Sequence, residues 1–208
     1  MKIGVLDYGA GNLRSVETAL RYLNASYTVT ADPQELLKTD KILFPGVGEA
    51  KAAMTELRRS GMDQAVQDAF ARGTHILGIC IGCQVVLDYS EESGTECLSI
   101  IPGRVLRFPS DLKDETGVRL KVPHMGWNEL SCKRDHWIFN TIADNSAFYF
   151  VHSYYPNPEK DEHILAETEY GVSFVSAFAK ENLIAVQFHP EKSGEAGLKL
   201  LANFIAER

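Results

Sequence analysis

Apolar residues along the chain fall into short runs whose spacing switches between two periods. Ile3-Gly4-Val5-Leu6 is a compact apolar run closed by Asp7, which predicts a buried strand over 2–7. Leu13, Val16, Leu20 and Leu23 recur at helical spacing and predict a helix over 12–24. Pro33 directly follows Asp32, a good N-cap, so a short helix opens there and leads into a strand over 41–44. Helical spacing returns over 49–59 and 62–72, with Gly61 and Gly73 as stops. A strand over 74–79 and another helix from Ile81 complete the first half.

The second half reads as mostly strands, at 103–108, 147–152, 163–168, 172–179 and 183–188, with Asn182 in the turn between the last two. Residues 110–121 are polar and predict a loop or an exposed hairpin. A closing helix over 195–206 carries Leu198, Leu201 and Ile205 at helical spacing. Regular strand–helix alternation followed by strands predicts an α/β fold. Its mainly parallel central sheet is flanked by helices and has an antiparallel extension in the second half. No repeat, low-complexity tract or linker interrupts the pattern, so residues 1–208 are expected to form one domain.

Composition narrows the function classes. Hydrophobic content of 45% and charged content of 24% are ordinary for a globular chain. A net charge of −7 argues against nucleic acid or an anionic membrane as the main partner. The first apolar run is too short for a signal peptide or a membrane span. Four cysteines in 208 residues make no disulfide framework, and the expected compartment is a reducing cytoplasm.

The chemistry concentrates in three places. Gly78-Ile79-Cys80-Ile81-Gly82 lies where a buried strand gives way to a helix, the setting of a nucleophile elbow with cysteine in place of serine. From composition alone such a G-x-C-x-G should arise roughly 0.02 times in this chain. The flanking glycines are expected because side chains there would collide with neighbouring backbone, and the following helix should favour a thiolate through its dipole. The N–H of Ile81 would face a developing oxyanion. His189-Pro190-Glu191 follows an apolar strand; residues two apart in extended chain point the same way, so Glu191 can fix the tautomer of His189 while His189 serves as base. Pro45-Gly46-Val47-Gly48 is a glycine-rich loop at the end of a strand, where α/β folds place ligands, and its N–H groups could supply a second oxyanion donor.

Plainer readings exist for each. Cys80 could be a small buried residue in a tight turn, His-x-Glu an exposed strand end, and Pro-Gly-Val-Gly an ordinary connection. Cys80 and Cys83 also form a C-x-x-C, as in thioredoxin-like sites, but that leaves Gly78, the His/Glu pair and the glycine loop unexplained. A zinc deaminase signature would need the reverse order and a proline at Ile79.

Taken together, Gly-Ile-Cys-Ile-Gly at 78–82, Pro-Gly-Val-Gly at 45–48 and Gln-Phe-His-Pro-Glu-Lys-Ser at 187–193 resemble the class I glutamine amidotransferase family, in that family's order and across most of the chain. Further stretches resemble the branch of the family that serves histidine biosynthesis: Asp7-Tyr8-Gly9-Ala10-Gly11-Asn12, Pro123-His124-Met125-Gly126-Trp127-Asn128 and Tyr149-Phe150-Val151-His152-Ser153-Tyr154-Tyr155. The resemblance implies hydrolysis of L-glutamine to glutamate and ammonia through a Cys80 thioester, with His189 moving the proton and Glu191 orienting it. It implies oxyanion donors at Val47 and Ile81, and glutamine contacts at Gly48, Gln84, Ser153 and Tyr154. A partner cyclase (a β/α barrel) would meet Asn12, Trp127, Tyr149 and Lys192 and use the ammonia to make imidazole glycerol phosphate and an aminoimidazole ribonucleotide. No metal or cofactor is required by these parts. Alternatives are a glutaminase for another synthase and a silent scaffolding subunit, the latter disfavoured by the intact triad. Cys83 and Ile81 stand where the family usually has methionine and leucine, both apolar exchanges. For His124 and His152 a structural role is the plain expectation, and Cys97 and residues 110–121 match no motif.

Overall fold

A computed structural model describes residues 1–9 and 13–207, so the predicted contribution of Asn12 lies outside the described residues. In chain order the first half comprises β1 (Ile3–Leu6), α1 (Leu13–Tyr22), β2 (Tyr27–Thr30), α2 (Pro33–Leu36) and β3 (Lys41–Gly46). Next come α3 (Ala50–Ser60), α4 (Met62–Ala71), β4 (His75–Cys80) and α5 (Ile81–Gln84). Local chemistry explains these boundaries. Asp32 caps α2 by accepting the Gln34 N–H at 2.8 Å, with Pro33 in the first turn. Gly61 ends α3 in the left-handed region at φ 74°, a conformation a side chain would resist.

The second half adds β5 (Tyr89–Ser90), β6 (Thr95–Glu96), β7 (Gly103–Arg107), β8 (His124–Glu129), β9 (Ser131–Cys132), β10 (Ala147–His152) and β11 (Tyr154–Pro158). It ends with β12 (Ile164–Glu169), β13 (Ser173–Lys180), β14 (Leu183–Val186) and α6 (Gly194–Ala206). Among the described residues the central sheet runs β2-β1-β3-β4-β14-β13-β12-β9. From β2 to β14 its neighbours are parallel, and from β14 to β9 they are antiparallel, which is the predicted architecture. A smaller sheet, β11-β7-β5-β6, and the antiparallel pair β8–β10 sit beside it.

The central strands are uniformly buried, as parallel strands covered on both faces must be, with β1, β3 and β14 showing no exposed position. Helix α6 buries Gly197, Leu200, Leu201 and Phe204, so its core face is turned slightly from the one predicted: Leu198 and Ile205 flank it. Buried Lys41 donates to the Phe204 and Glu207 carbonyls at 2.5 and 2.6 Å, satisfying backbone acceptors at the end of that helix. Asn182 lies in the predicted turn and donates to the Thr74 carbonyl at 2.6 Å.

Several elements differ from expectation. The helix after Cys80 is a single turn, so the dipole it offers the sulfur is that of four residues and far weaker than predicted. Strands β2, β5, β6, β8, β9 and β11 lie outside the predicted ranges; β5, β6 and β9 are two residues each, too short to show a period. β2 is a four-residue strand with no fully buried position, and β8 contains Gly126 and Asn128 and pairs only with β10. β11 contains Pro156 and Pro158, tolerated because it is an edge strand paired only with β7. Residues 110–121 form the hairpin alternative, with Lys113 opposite Arg119 and Asp114 accepting the N–H groups of Thr116 and Val118 in its turn.

Candidate active site

Cys80 is the last residue of β4 and precedes the single turn α5, with φ 56° and ψ −108°, a strained conformation for a side-chain-bearing residue. Close packing forces the glycines on either side. A Cβ on Gly78 would lie 2.8 Å from the Gly82 carbonyl oxygen, and one on Gly82 would lie 1.9 Å from the Phe44 carbonyl oxygen. The turn is therefore held against β3 at backbone contact, and the strand, strained turn and helix follow one another as expected for an elbow.

His189 reaches Cys80 because β14 runs parallel to β4, with Val186 opposite Ile79. The strand ends at Val186, and Pro190–Lys192 forms a 3-10 turn. The contact between His189 and Glu191 is thus made by a turn and not by the strand alternation expected. His189 Nδ1 and Glu191 Oε1 are 2.8 Å apart, with their side chains 2% and 3% exposed. Burial by itself would lower the His189 pKa. The nearby Cys80 sulfur and the hydrogen-bonded Glu191 carboxylate outweigh it and raise the pKa well above the usual histidine range. No hydrogen bond of regular geometry yet joins the two reactive groups: His189 Nε2 has no partner among the described residues, and Cys80 Sγ faces Gln187 Nε2 at 3.9 Å. Near contact of this kind is common before substrate tightens a site.

Around this group lies a cavity of about 170 Å³ lined by Val47, Gly48, Cys80, Ile81, Gln84, Glu92, Val151, His152, Ser153, Tyr154 and His189. All the residues predicted as oxyanion donors or glutamine contacts border it. Val47 and Gly48 come from the loop that follows β3, Gln84 from α5, and Ser153 and Tyr154 from the crossing between β10 and β11. Gln84 Nε2 donates to the Tyr154 carbonyl at 3.0 Å and to Gln187 Oε1 at 2.9 Å.

Three contributors were given no role from the sequence, although Tyr8 and Gln187 stand inside motifs quoted above. Glu92 is the one acidic side chain on the cavity wall; burial raises its pKa, and its Oε2 accepts the Ala50 N–H at 2.7 Å. Its approach depends on the 3-10 turn after β5 lying against α3, which no periodicity encodes. Tyr8 has a buried hydroxyl without a partner among the described residues, occupying the space where a Gly46 side chain would go. Gln187, two residues before His189, faces Cys80.

The predicted partner-facing residues within the described chain gather into one patch. Trp127 and Tyr149 are register partners across β8 and β10, with ring centroids 6.1 Å apart, and Lys192 Nζ lies 5.8 Å from the Tyr149 ring centroid. Trp127 is 58% exposed and Met125, on the same face, 62%. The patch connects directly to the base: the His189 N–H donates to the Tyr149 carbonyl at 2.9 Å, and the Tyr149 N–H to Ser193 Oγ at 2.9 Å. Cys83 is fully buried and burial pushes its thiol pKa far up, so it is no redox partner poised for exchange. Among the described residues no three His, Cys, Asp or Glu side chains converge as a metal-ligand set. No described helix is long and apolar enough to cross a membrane.

An elbow cysteine, a carboxylate-held histidine and a half-buried cavity on a mainly parallel sheet are the parts that a cysteine-dependent amidohydrolase site requires. The sequence profile of the family described as Glutamine amidotransferase class-I matches residues 4–207, and the chain belongs to that family. It is 50% identical over 202 residues to imidazole glycerol phosphate synthase subunit HisH of Maridesulfovibrio salexigens, covering 97% of this chain and 95% of that one. The protein of the same name from Pseudomonas putida is 47% identical over 206 residues, 98% of this chain and 96% of that one. Among solved structures, PurLQS of Thermotoga maritima superposes with a TM-score of 0.72 at 16% identity, covering 98% of this chain and 96% of that one. The glutaminase domain of Trypanosoma brucei CTPS gives 0.64 at 18% identity, covering 100% and 95%. At those identities the structures establish the fold alone.

Proposed function

We propose that this chain is the glutaminase subunit of an imidazole glycerol phosphate synthase, acting in the cytoplasm as one domain beside a cyclase subunit. The observation that carries the reading is the Cys80–His189–Glu191 arrangement bordering a cavity of amino-acid size, in a chain 50% identical to a subunit of that name. Glu92 pairs with the α-ammonium of glutamine, while Gly48, Gln84, Ser153 and Tyr154 hold the rest of the amino acid. The Cys80 thiolate attacks the side-chain amide carbon, forming the C–S bond and an oxyanion received by the N–H groups of Ile81 and Val47. The His189 imidazolium gives its proton to the departing ammonia. It then takes one from water, whose attack breaks the thioester and releases glutamate. Glu191 keeps His189 in one tautomer throughout.

The patch of Met125, Trp127, Tyr149 and Lys192 suits a protein partner, and its hydrogen bond to His189 gives that partner a route to the base. Gly46 lacks a Cβ, so the Gly46–Val47 peptide can turn the Val47 N–H towards or away from the oxyanion. One missing oxyanion donor costs about 2.7–4 kcal/mol, enough to hold the isolated chain nearly idle. Glutamate release is therefore expected to be slow for the chain alone and to rise by roughly 10²–10³ with the cyclase and its nucleotide ligand. Full activity of the isolated chain, unchanged by the liganded cyclase, would overturn both the switch and the assignment to that synthase.

A further inference from the structure

Two buried histidines outside the triad face each other across β8 and β10, where His124 and His152 are register partners. His124 Nδ1 and His152 Nε2 are 3.0 Å apart, and His152 Nδ1 lies 2.8 Å from the Tyr154 carbonyl oxygen. On the far side, His124 Nε2 is 3.3 Å from Asn128 Nδ2, which also donates to the Glu169 carbonyl at 2.9 Å. A carbonyl oxygen only accepts, so His152 carries its proton on Nδ1 and offers Nε2 as an acceptor. His124 must then donate through Nδ1 and accept from Asn128 through Nε2. One pair of tautomers satisfies every contact, provided that both rings are neutral. They are: burial lowers His124 to about 4 and His152 to about 3.

The chain of bonds does not stop at Tyr154. The same carbonyl receives Gln84 Nε2 at 3.0 Å, and Gln84 goes on to Gln187, whose Nε2 faces Cys80 Sγ. The line therefore begins in β8, the strand that carries exposed Trp127, and ends under the nucleophile. An apolar ring would fill the His124 slot without trouble, since Phe150 and Tyr170 stack on either side at 4.9 and 4.0 Å. Burying a polar imidazole there instead costs desolvation, which the hydrogen bonds offset only if the whole line is complete.

We propose that His124 is a positioning residue for glutamine binding. By donating to His152 it fixes that ring's tautomer, and so holds the Tyr154 carbonyl and the Gln84 amide where the substrate is received. The role rests on the glutaminase reading above, and it concerns binding and not bond breaking, because His124 does not line the cavity.

The test compares His124→Phe with His124→Asn in the complete complex with cyclase and its nucleotide ligand, measuring KM and kcat for glutamine together with the melting temperature. Phenylalanine keeps the stacking and removes the donor; asparagine places its Nδ2 where imidazole Nδ1 stands, and so keeps a donor to His152 Nε2. His124→Phe should raise KM about tenfold, the scale expected when a buried acceptor loses its partner, with kcat little changed. His124→Asn should recover most of that loss. A wild-type KM in His124→Phe overturns the role. Loss of kcat and melting temperature together in both variants, with KM unmoved, also overturns it, because that marks a purely structural histidine. If the unsubstituted complex released no glutamate, the glutaminase reading itself would fall and this role with it.

Discussion

Replacing Glu191 by glutamine removes one negative charge from a side chain only 3% exposed and 2.8 Å from the base. The new side chain keeps the shape and can still accept the His189 Nδ1 proton through its amide oxygen. What it loses is charge assistance. It also places an NH₂ where Glu191 Oε2 now has no partner among the described residues, so one buried donor goes unsatisfied. Charged hydrogen bonds are worth about 1.5–3 kcal/mol against about 0.5–1.5 for neutral ones, and an unsatisfied buried donor adds about 1–3. A net loss of about 2–3 kcal/mol in transition-state stabilisation corresponds to roughly 30- to 150-fold in kcat/KM.

The pH dependence carries a separate sign. His189 must be protonated to deliver the ammonia proton, so activity is present below its folded pKa and is lost as pH rises through it. Burial lowers that pKa, while Cys80 and Glu191 together more than offset burial and raise it. Removing the Glu191 charge therefore moves the alkaline limb of the rate profile to lower pH. The same raised pKa contributes stability that is complete below the ordinary histidine value and fades as pH rises through the folded one. The variant's melting-temperature deficit should accordingly be largest in neutral and mildly acidic solution and shrink towards alkaline pH. Steady-state glutamate release across pH, in the stimulated complex, reads the rate effect. A variant with wild-type kcat/KM and an unmoved alkaline limb would show that Glu191 does not hold the base.

Three further substitutions test the elbow. Cys80→Ser should lower glutamate release by about 10³-fold or more in the stimulated complex, whereas Cys83→Ser, altering a fully buried thiol away from the cavity wall, should retain most activity; an exchange of the two phenotypes refutes the assignment of the nucleophile. Gly82→Ala forces a Cβ to within 1.9 Å of the Phe44 carbonyl oxygen, so thermal denaturation should show a loss of about 3 kcal/mol; a melting temperature equal to wild type would mean that β3 and the elbow are not held in contact.

Features that a few consecutive residues can fix were legible along the chain. The strained cysteine turn needs only glycines on either side and a buried strand before it, so Gly78 to Gly82 announced it. The helix boundaries at Asp32 and Gly61 follow from caps that act within one turn. The uniformly apolar runs of β1, β4 and β14 reported burial on both faces, and with it a mainly parallel sheet. Tertiary structure decided what periodicity does not encode, namely which distant segments become neighbours. Placing β14 beside β4 is what carries His189 to Cys80, and the break of that strand at Val186 lets a 3-10 turn bring Glu191 back onto the histidine. Glu92 reaches the cavity only because a short turn packs on α3, and His124 meets His152 only because β8, a strand with little β-propensity, is paired by β10. Hydrophobic spacing measures how one segment is buried; it contains no term for sheet order, and sheet order is what assembles this site.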